Sequence, residues 1–233
     1  MSSATNTIHQ AIAALSACVA DRRLALLQRV LEQRTRYVTV CLEDIFQPQN
    51  ASAVLRSCEA LGVQDVHVVE DRNSFAAVEG VSLSAHKWLT LHRYRKAQHA
   101  QPTAAAIAQL RKQGYRIVAT SPHVKAASPA SIDLSKGRIA LLFGTELTGL
   151  SEAALAAADE FLSVPMFGFV ESYNISVCAA ISLYDITQRL RAAPSLPWQL
   201  LPAERDELLL EWLKKTVRSS EEILRRQDLW NEG

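Results

Sequence analysis

Apolar residues recur at helical spacing at the start of the chain: Ile8, Ile12, Leu15, Val19, Leu24, Leu27 and Val30 predict one amphipathic helix over residues 7–33. The pattern then changes. Tyr37 to Leu42 is β-branched and apolar without alternation, as expected of a strand buried on both faces. Pro48-Gln49-Asn50 breaks the chain, and Asn50 is suited to cap a helix that runs to about Leu61 and ends at Gly62. Its apolar stripe is Val54, Cys58 and Leu61.

The same alternation continues. Strands are expected at Val66–Val69, near Leu89–Tyr94, at Tyr115–Ala119, at Arg138–Phe143 and at Phe161–Val164. Helices are expected from Pro102 to Gly114, from Ser151 to Ala158 and from Ile175 to Leu190. The last is apolar on nearly every side as far as Thr187, so it should lie between layers or between subunits. Strand–helix alternation of this kind predicts an α/β fold: a mostly parallel sheet with helices on both faces. Pro194, Pro197 and Pro202 mark a linker, and residues 203–230 form a charged, amphipathic helical tail. The expected organisation is an N-terminal basic helical extension (1–36), a catalytic domain (37–191) and a C-terminal helical extension (192–233).

Composition narrows the class. The chain has 233 residues, of which 48% are hydrophobic and 21% charged, which excludes wholesale disorder. No apolar run is long enough to span a membrane, and the first apolar stretch lacks the basic start of a secretory signal. A cytoplasmic protein without a membrane partner is expected. Cys18, Cys41, Cys58 and Cys178 are widely spaced, without a Cys-x-x-Cys pair, so reduced buried thiols and no metal are expected.

Charge is balanced overall but not along the chain. From Gly80 to Ile132 there is no Asp or Glu, while Lys87, Arg93, Arg95, Lys96, Arg111, Lys112, Arg116 and Lys125 all fall there. From Ile139 to Gln188 there are six acids and no Lys or Arg. A basic half points to a polyanion such as RNA, or to cations spread over several solvated faces.

Three segments carry candidate chemistry. Gly144-Thr145-Glu146-Leu147-Thr148-Gly149-Leu150-Ser151 has the glycine spacing of a phosphate-binding loop. Leu150 stands where that loop requires Lys, and Glu146 would repel phosphate, so ATP or GTP chemistry is disfavoured; a plain turn and a ligand-approaching loop both remain open. Val164 to Asn174 is apolar around Gly168 and polar at Glu171-Ser172-Tyr173-Asn174, with Asn174 placed to cap the next helix. Open α/β sheets hold ligands at such strand ends. Asn50 with Arg56 is either a cap and a solvated cation, or a fixed amide and guanidinium at the mouth of a site.

Taken in this order, the three segments resemble the SPOUT class of RNA methyltransferases, and within it the SpoU (TrmH) family. The resemblance is carried by Asn50-x5-Arg56-x5-Gly62, by Leu142 to Ser151, and by Val164-Pro165-Met166-x-Gly168-x2-Glu171 to Val177 with Ala179-Ala180. It spans residues 37–191, and His86-Lys87-Trp88 is similar to the tRNA-acting branch. The resemblance implies a SPOUT-type fold with a C-terminal trefoil knot, a homodimer, and S-adenosylmethionine as cofactor, held at Thr120, Gly144, Val164 and Tyr173. It implies methyl transfer to a ribose 2′-hydroxyl of RNA, with Arg56, Asn50, Glu146, Asn174 and Ser172 as the functional polar residues. The short flanking helices resemble members that methylate guanosine 18 in the tRNA D-loop. Ribosomal RNA as substrate, or a non-catalytic RNA-binding protein of this fold, are the alternatives.

Overall fold

The computed structural model describes residues 3–75, 79–121 and 126–229. In chain order the elements are α1 (Ser3–Ser16), α2 (Asp21–Leu31), β1 (Val38–Glu43), α3 (Pro48–Ala60), β2 (Asp65–Glu70), α4 (Glu79–Ser82), β3 (Thr90–Arg95), α5 (Pro102–Lys112), β4 (Arg116–Thr120), β5 (Ile139–Phe143), α6 (Glu152–Ala156), β6 (Glu160–Leu162), α7 (Ile175–Ala192), α8 (Pro202–Thr216) and α9 (Ser220–Arg225). The chain divides into two compact units. One comprises the described residues of Met1–Arg34 and Gln199–Gly233, the other those of Thr35–Trp198.

The second unit is built on a six-stranded sheet in the order β3-β2-β1-β5-β4-β6, parallel at every pairing. Every residue of β1, β2 and β5 is buried, and β5 accordingly reads as an unbroken apolar run, whereas β1 and β2 carry buried polar residues such as Glu43, Asp65 and His67. Alternate residues serve opposite faces. Val38, Val40 and Leu42 join a core with Val54, Leu55 and Cys58 of α3 and Ala179, Leu183 and Ile186 of α7. Cys41, Ala140 and Leu142 join a second core with Ala106, Ile107 and Leu110 of α5 and Ala154 of α6. The chain leaves β1 toward β2 on one side and meets β5 on the other. The crevice at the carboxyl ends of β1 and β5 is therefore the topological switch point where such sheets place ligands.

In the terminal unit, α1 and α2 replace the single helix expected over 7–33. The helical pattern stops at Ala20, whose backbone is extended, and restarts at Asp21 with an acid in its first turn. The break lets both helices pack on α8. Here Arg34 is buried, with its guanidinium over the ring of Trp212.

Two other expectations change, those for Asn50 and for the cysteines. The helix after Pro48 starts at that proline, with Gln47 as the cap residue, so Asn50 lies inside α3 rather than at its N-cap. Within the single chain, helix α7 buries one side and leaves Val177 (45% exposed), Ile181 and Tyr184 (61%) as an open apolar stripe. Of the cysteines, Cys41 and Cys58 are buried, Cys178 is half-buried and Cys18 is exposed; all are free.

Charge segregation along the sequence does not survive folding. Arg93 and Arg95 pair with Glu70, Lys96 with Asp71, Arg111 with Asp159 and Arg116 with Glu160. The acid-free stretch is thus largely answered by acids from elsewhere. Lys125 lies outside the described residues.

One buried group makes stability pH-dependent. His67 is fully buried, accepts or donates through Nδ1 to Tyr94 Oη at 2.9 Å, and stacks on His92 at 4.5 Å between centroids. Burial, the neighbouring His92 charge and, in opposition, Asp65 leave its pKa at about 4. The unfolded imidazole takes its proton near pH 6.5, the folded one only near pH 4, so the unfolded state gains protons first. Stability should therefore be full above pH 6.5 and fall by roughly 3 kcal/mol as the pH drops to 4. Urea unfolding across that range checks it: His67→Gln should flatten the slope, and an unchanged slope would contradict the assignment.

Candidate functional site: a cleft at the carboxyl ends of β1 and β5

The loop after β5 turns back on itself. The Thr145 and Gly149 backbones exchange two hydrogen bonds, both 3.0 Å, and Thr148 N–H donates to Thr145 Oγ1 at 3.0 Å. Gly149 sits at φ +68°, which favours glycine. Gly144 is required for a different reason: a Cβ there would overlap the carbonyl carbon and oxygen of Gly149 and the nitrogen of Leu150. Ser151 then caps α6, its Oγ accepting from Ala154 N–H at 3.2 Å.

Glu43, at the end of β1, holds this loop from below. Its carboxylate is buried and accepts from Ser151 N–H at 2.8 Å, Ser151 Oγ at 2.7 Å and Thr103 Oγ1 at 2.6 Å. Sequence reading missed this residue. An acid ending a β-branched, largely apolar strand was the available signal.

Three residues far apart in sequence meet above the switch point. Asn50 Nδ2 donates to Glu146 Oε1 and, at 3.1 Å, to Gln47 Oε1. Asn174 Nδ2 donates to Asn50 Oδ1 at 3.1 Å. The Asn50 amide, 8% exposed, is thus fixed in orientation, with its NH2 toward Glu146. Its place inside α3 makes this possible, because an N-cap role would have engaged the side chain with its own helix. Asn174 does cap α7: its Oδ1 accepts from Ser176 N–H at 2.9 Å and Ser176 Oγ at 2.6 Å.

Beside this cluster lies a cleft of about 290 Å³ between the 144–150 loop and the 163–173 segment. Thr120, Gly144, Val164, Ser172 and Tyr173 all line it, as does Glu146. Thr120 Oγ1 is committed to Leu142 O at 2.7 Å, and Tyr173 Oη donates to Pro165 O at 3.3 Å, which ties the segment back on itself. Leu162, Met166, Ile175 and Cys178 make the walls apolar. Among the described residues no Lys or Arg lines the cleft, and Glu146 is the one Asp or Glu in its lining. Asn50 and Arg56 are not part of its lining. Arg56 is exposed on α3, and no hydrogen bond or ion pair engages its guanidinium among the described residues. The structure therefore brings Asn50, Glu146 and Asn174 together and leaves Arg56 with its five donors available. No group of three or more His, Cys, Asp or Glu that could hold a metal is present among the described residues.

Comparison with known proteins gives the geometry a context. A tRNA (guanosine(18)-2′-O)-methyltransferase of Borreliella burgdorferi is 41% identical over 89% of this chain and 92% of its own length. One from Thermus thermophilus is 34% identical over 84% and 97%. The crystal structure of the A. aeolicus TrmH/SpoU tRNA modifying enzyme superposes with a TM-score of 0.72 at 25% identity, covering 85% of this chain and 98% of that one. The family model described as the SpoU rRNA Methylase family matches residues 37–184, so the chain belongs to the SpoU methylase family.

Proposed function

We propose that this protein transfers a methyl group from S-adenosylmethionine to the ribose 2′-hydroxyl of guanosine 18 in tRNA. The observation that carries the reading is the Asn50–Glu146–Asn174 cluster on the rim of an apolar cleft that no Lys or Arg lines among the described residues. The relatives named for that reaction match this chain over 84–89% of its length.

The cleft residues fit the cofactor. A sulfonium tolerates Glu146 and needs no cation, whereas a nucleoside triphosphate would demand one. Gly144, Val164, Tyr173 and Thr120 would hold it, through backbone groups and apolar contact. When bound, it supplies an electrophilic methyl for in-line attack by the 2′-oxygen. The chain's own residues position the reactants and stabilise charge. Arg stays protonated, so Arg56 acts as a two-pronged clamp on the phosphate beside the target ribose and steadies the developing oxyanion. Asn50 orients Glu146 at the cleft wall, Asn174 locks Asn50, and Ser172 borders the cofactor. The hydroxyl proton leaves to the adjacent phosphate or to water.

The reading extends to the assembly. The open stripe of Val177, Ile181 and Tyr184 on α7, continued by Tyr173, suits a second copy of the chain in a homodimer. A trefoil knot is supported by the position of β6. It pairs with β4 on one side, while Ala127, from the segment that follows β4, bridges Leu162 on the other. The 1–36 and 192–233 segments would grip the tRNA outside the 37–191 catalytic domain, and the site of action would be the cytoplasm. Among the described residues no helix is long and apolar enough to cross a membrane.

Mass-spectrometric mapping of 2′-O-methyls, in tRNA and rRNA from strains with and without the gene, tests the substrate. Loss of the methyl at tRNA guanosine 18 is expected. Loss from rRNA alone would redirect the reading to the ribosome, and wild-type methylation in both would contradict catalysis.

A further inference from the structure

We propose that a second cleft, of about 840 Å³, receives the base of the target nucleotide, with Phe46 as its stacking platform and Glu152 as the acceptor that reads guanine. The inference rests on the methyl-transfer reading above and adds where the base goes and what selects it.

The two clefts share the 145–150 loop as a common wall. Glu146 lines both, and Gln47, which accepts from Asn50, lines the second. A ribose at the Asn50–Glu146 junction would place its 2′-oxygen toward the cofactor cleft and its base in the other. A flipped base needs a flat apolar surface and partners for its Watson–Crick edge.

Phe46 supplies the surface. It is 70% exposed, directly after buried Ile45, on the connection between β1 and α3. That connection is rigid. Asp44 adopts φ +57°, and its Oδ1 accepts the backbone N–H groups of Asp71, Arg72 and Asn73 at 2.8–3.0 Å. A strained, cross-braced turn that presents a phenyl ring to a cleft is a clamp rather than a loose loop.

Among the described residues the wall is acidic: Glu43, Asp44, Asp71, Glu146 and Glu152 against Arg72. That excludes phosphate as the occupant and favours a neutral ring rich in donors. Four of the acids are engaged: Glu43 by Ser151 and Thr103, Asp44 by the three amides, Asp71 by Lys96 and Glu146 by Asn50. Glu152 has no hydrogen bond or ion pair among the described residues and is exposed at the start of α6. A carboxylate offers two acceptors side by side. Of the four RNA bases, guanine alone presents adjacent N1–H and N2–H donors to match them.

Transcripts carrying guanosine or inosine at the target position test this, because inosine lacks only the N2 amine. Wild type should favour guanosine by about tenfold or more in kcat/KM, as expected for a hydrogen bond to a charged acceptor. Glu152→Gln and Glu152→Ala should bring the two substrates within about threefold. Phe46→Ala should raise the KM for tRNA several-fold, and Phe46→Tyr should restore it, with S-adenosylmethionine affinity by calorimetry unchanged throughout. An unaltered guanosine-to-inosine ratio in both Glu152 variants, or an unaltered KM in Phe46→Ala, overturns the proposal while leaving the methyl-transfer reading standing. A wild type that methylates neither transcript overturns both.

Discussion

Replacing Arg56 with Lys should lower methyl transfer by about 10²–10³-fold at saturating cofactor, the usual loss when a fixed donor to a developing oxyanion is removed. The charge is retained, so any loss reports geometry. A guanidinium offers two parallel N–H groups to phosphate oxygens, whereas an ammonium is a point charge on a flexible stem. The substitution is clean because Arg56 is exposed on α3 and no described residue engages its side chain. Surface changes of this kind move stability by about 0.5 kcal/mol or less. Cofactor affinity by calorimetry should be unchanged, and kcat should carry the effect. Turnover near that of wild type in Arg56→Lys would remove Arg56 from the mechanism.

The second large effect is expected at Gly144. In Gly144→Ala the new methyl meets the backbone of Gly149 and Leu150, not a side chain that could swing away. The 144–149 turn would have to open, breaking the paired hydrogen bonds between Thr145 and Gly149. Displacement of about an ångström at a binding loop costs on the order of a hundredfold, so cofactor affinity should fall at least that far. Two neighbours make controls. Gly149→Ala meets no atom but must hold φ +68°, which costs about 1–2 kcal/mol of stability and should spare most binding. Gly168→Ala meets nothing and has no positive φ, so it should behave as wild type. Calorimetric titration of the three variants separates the cases, and equal binding by Gly144→Ala would refute the fold-back as a determinant of the cleft.

How far the sequence foretold this molecule depends on the range of the interaction. Parallel strands buried on both faces announce themselves, so Val66–Val69 and Ile139–Phe143 were readable within a residue or two. Positions decided by partners distant in the chain were not. Asn50 passed for a cap because Pro48 and Asn50 are both N-terminal signals, and only the fold shows that Pro48 takes the first helical position and frees Asn50 for Glu146, 96 residues away. The acid-free stretch left a polyanion partner and cations spread over solvated faces equally open, because the acids that pair with it, Glu70, Asp159 and Glu160, lie outside it. Spacing in the Gly144–Ser151 loop was equally compatible with a plain turn. The order of three motifs, through resemblance to a family, pointed to the cleft residues. Glu43 and Phe46 belong to none of those motifs, and the exposed stripe on α7 was hidden in a helix that looked apolar all round.

Crystals grown with S-adenosylmethionine bear most directly on the central claim, that the turn after β5 and the segment before α7 together clasp the methyl donor beside Asn50, Glu146 and Asn174. The account predicts electron density for the ligand between Gly144 and Val164, with its sulfur on the side nearest Glu146. Density at any other place on the molecule, or none from a sample that still methylates tRNA, would contradict it.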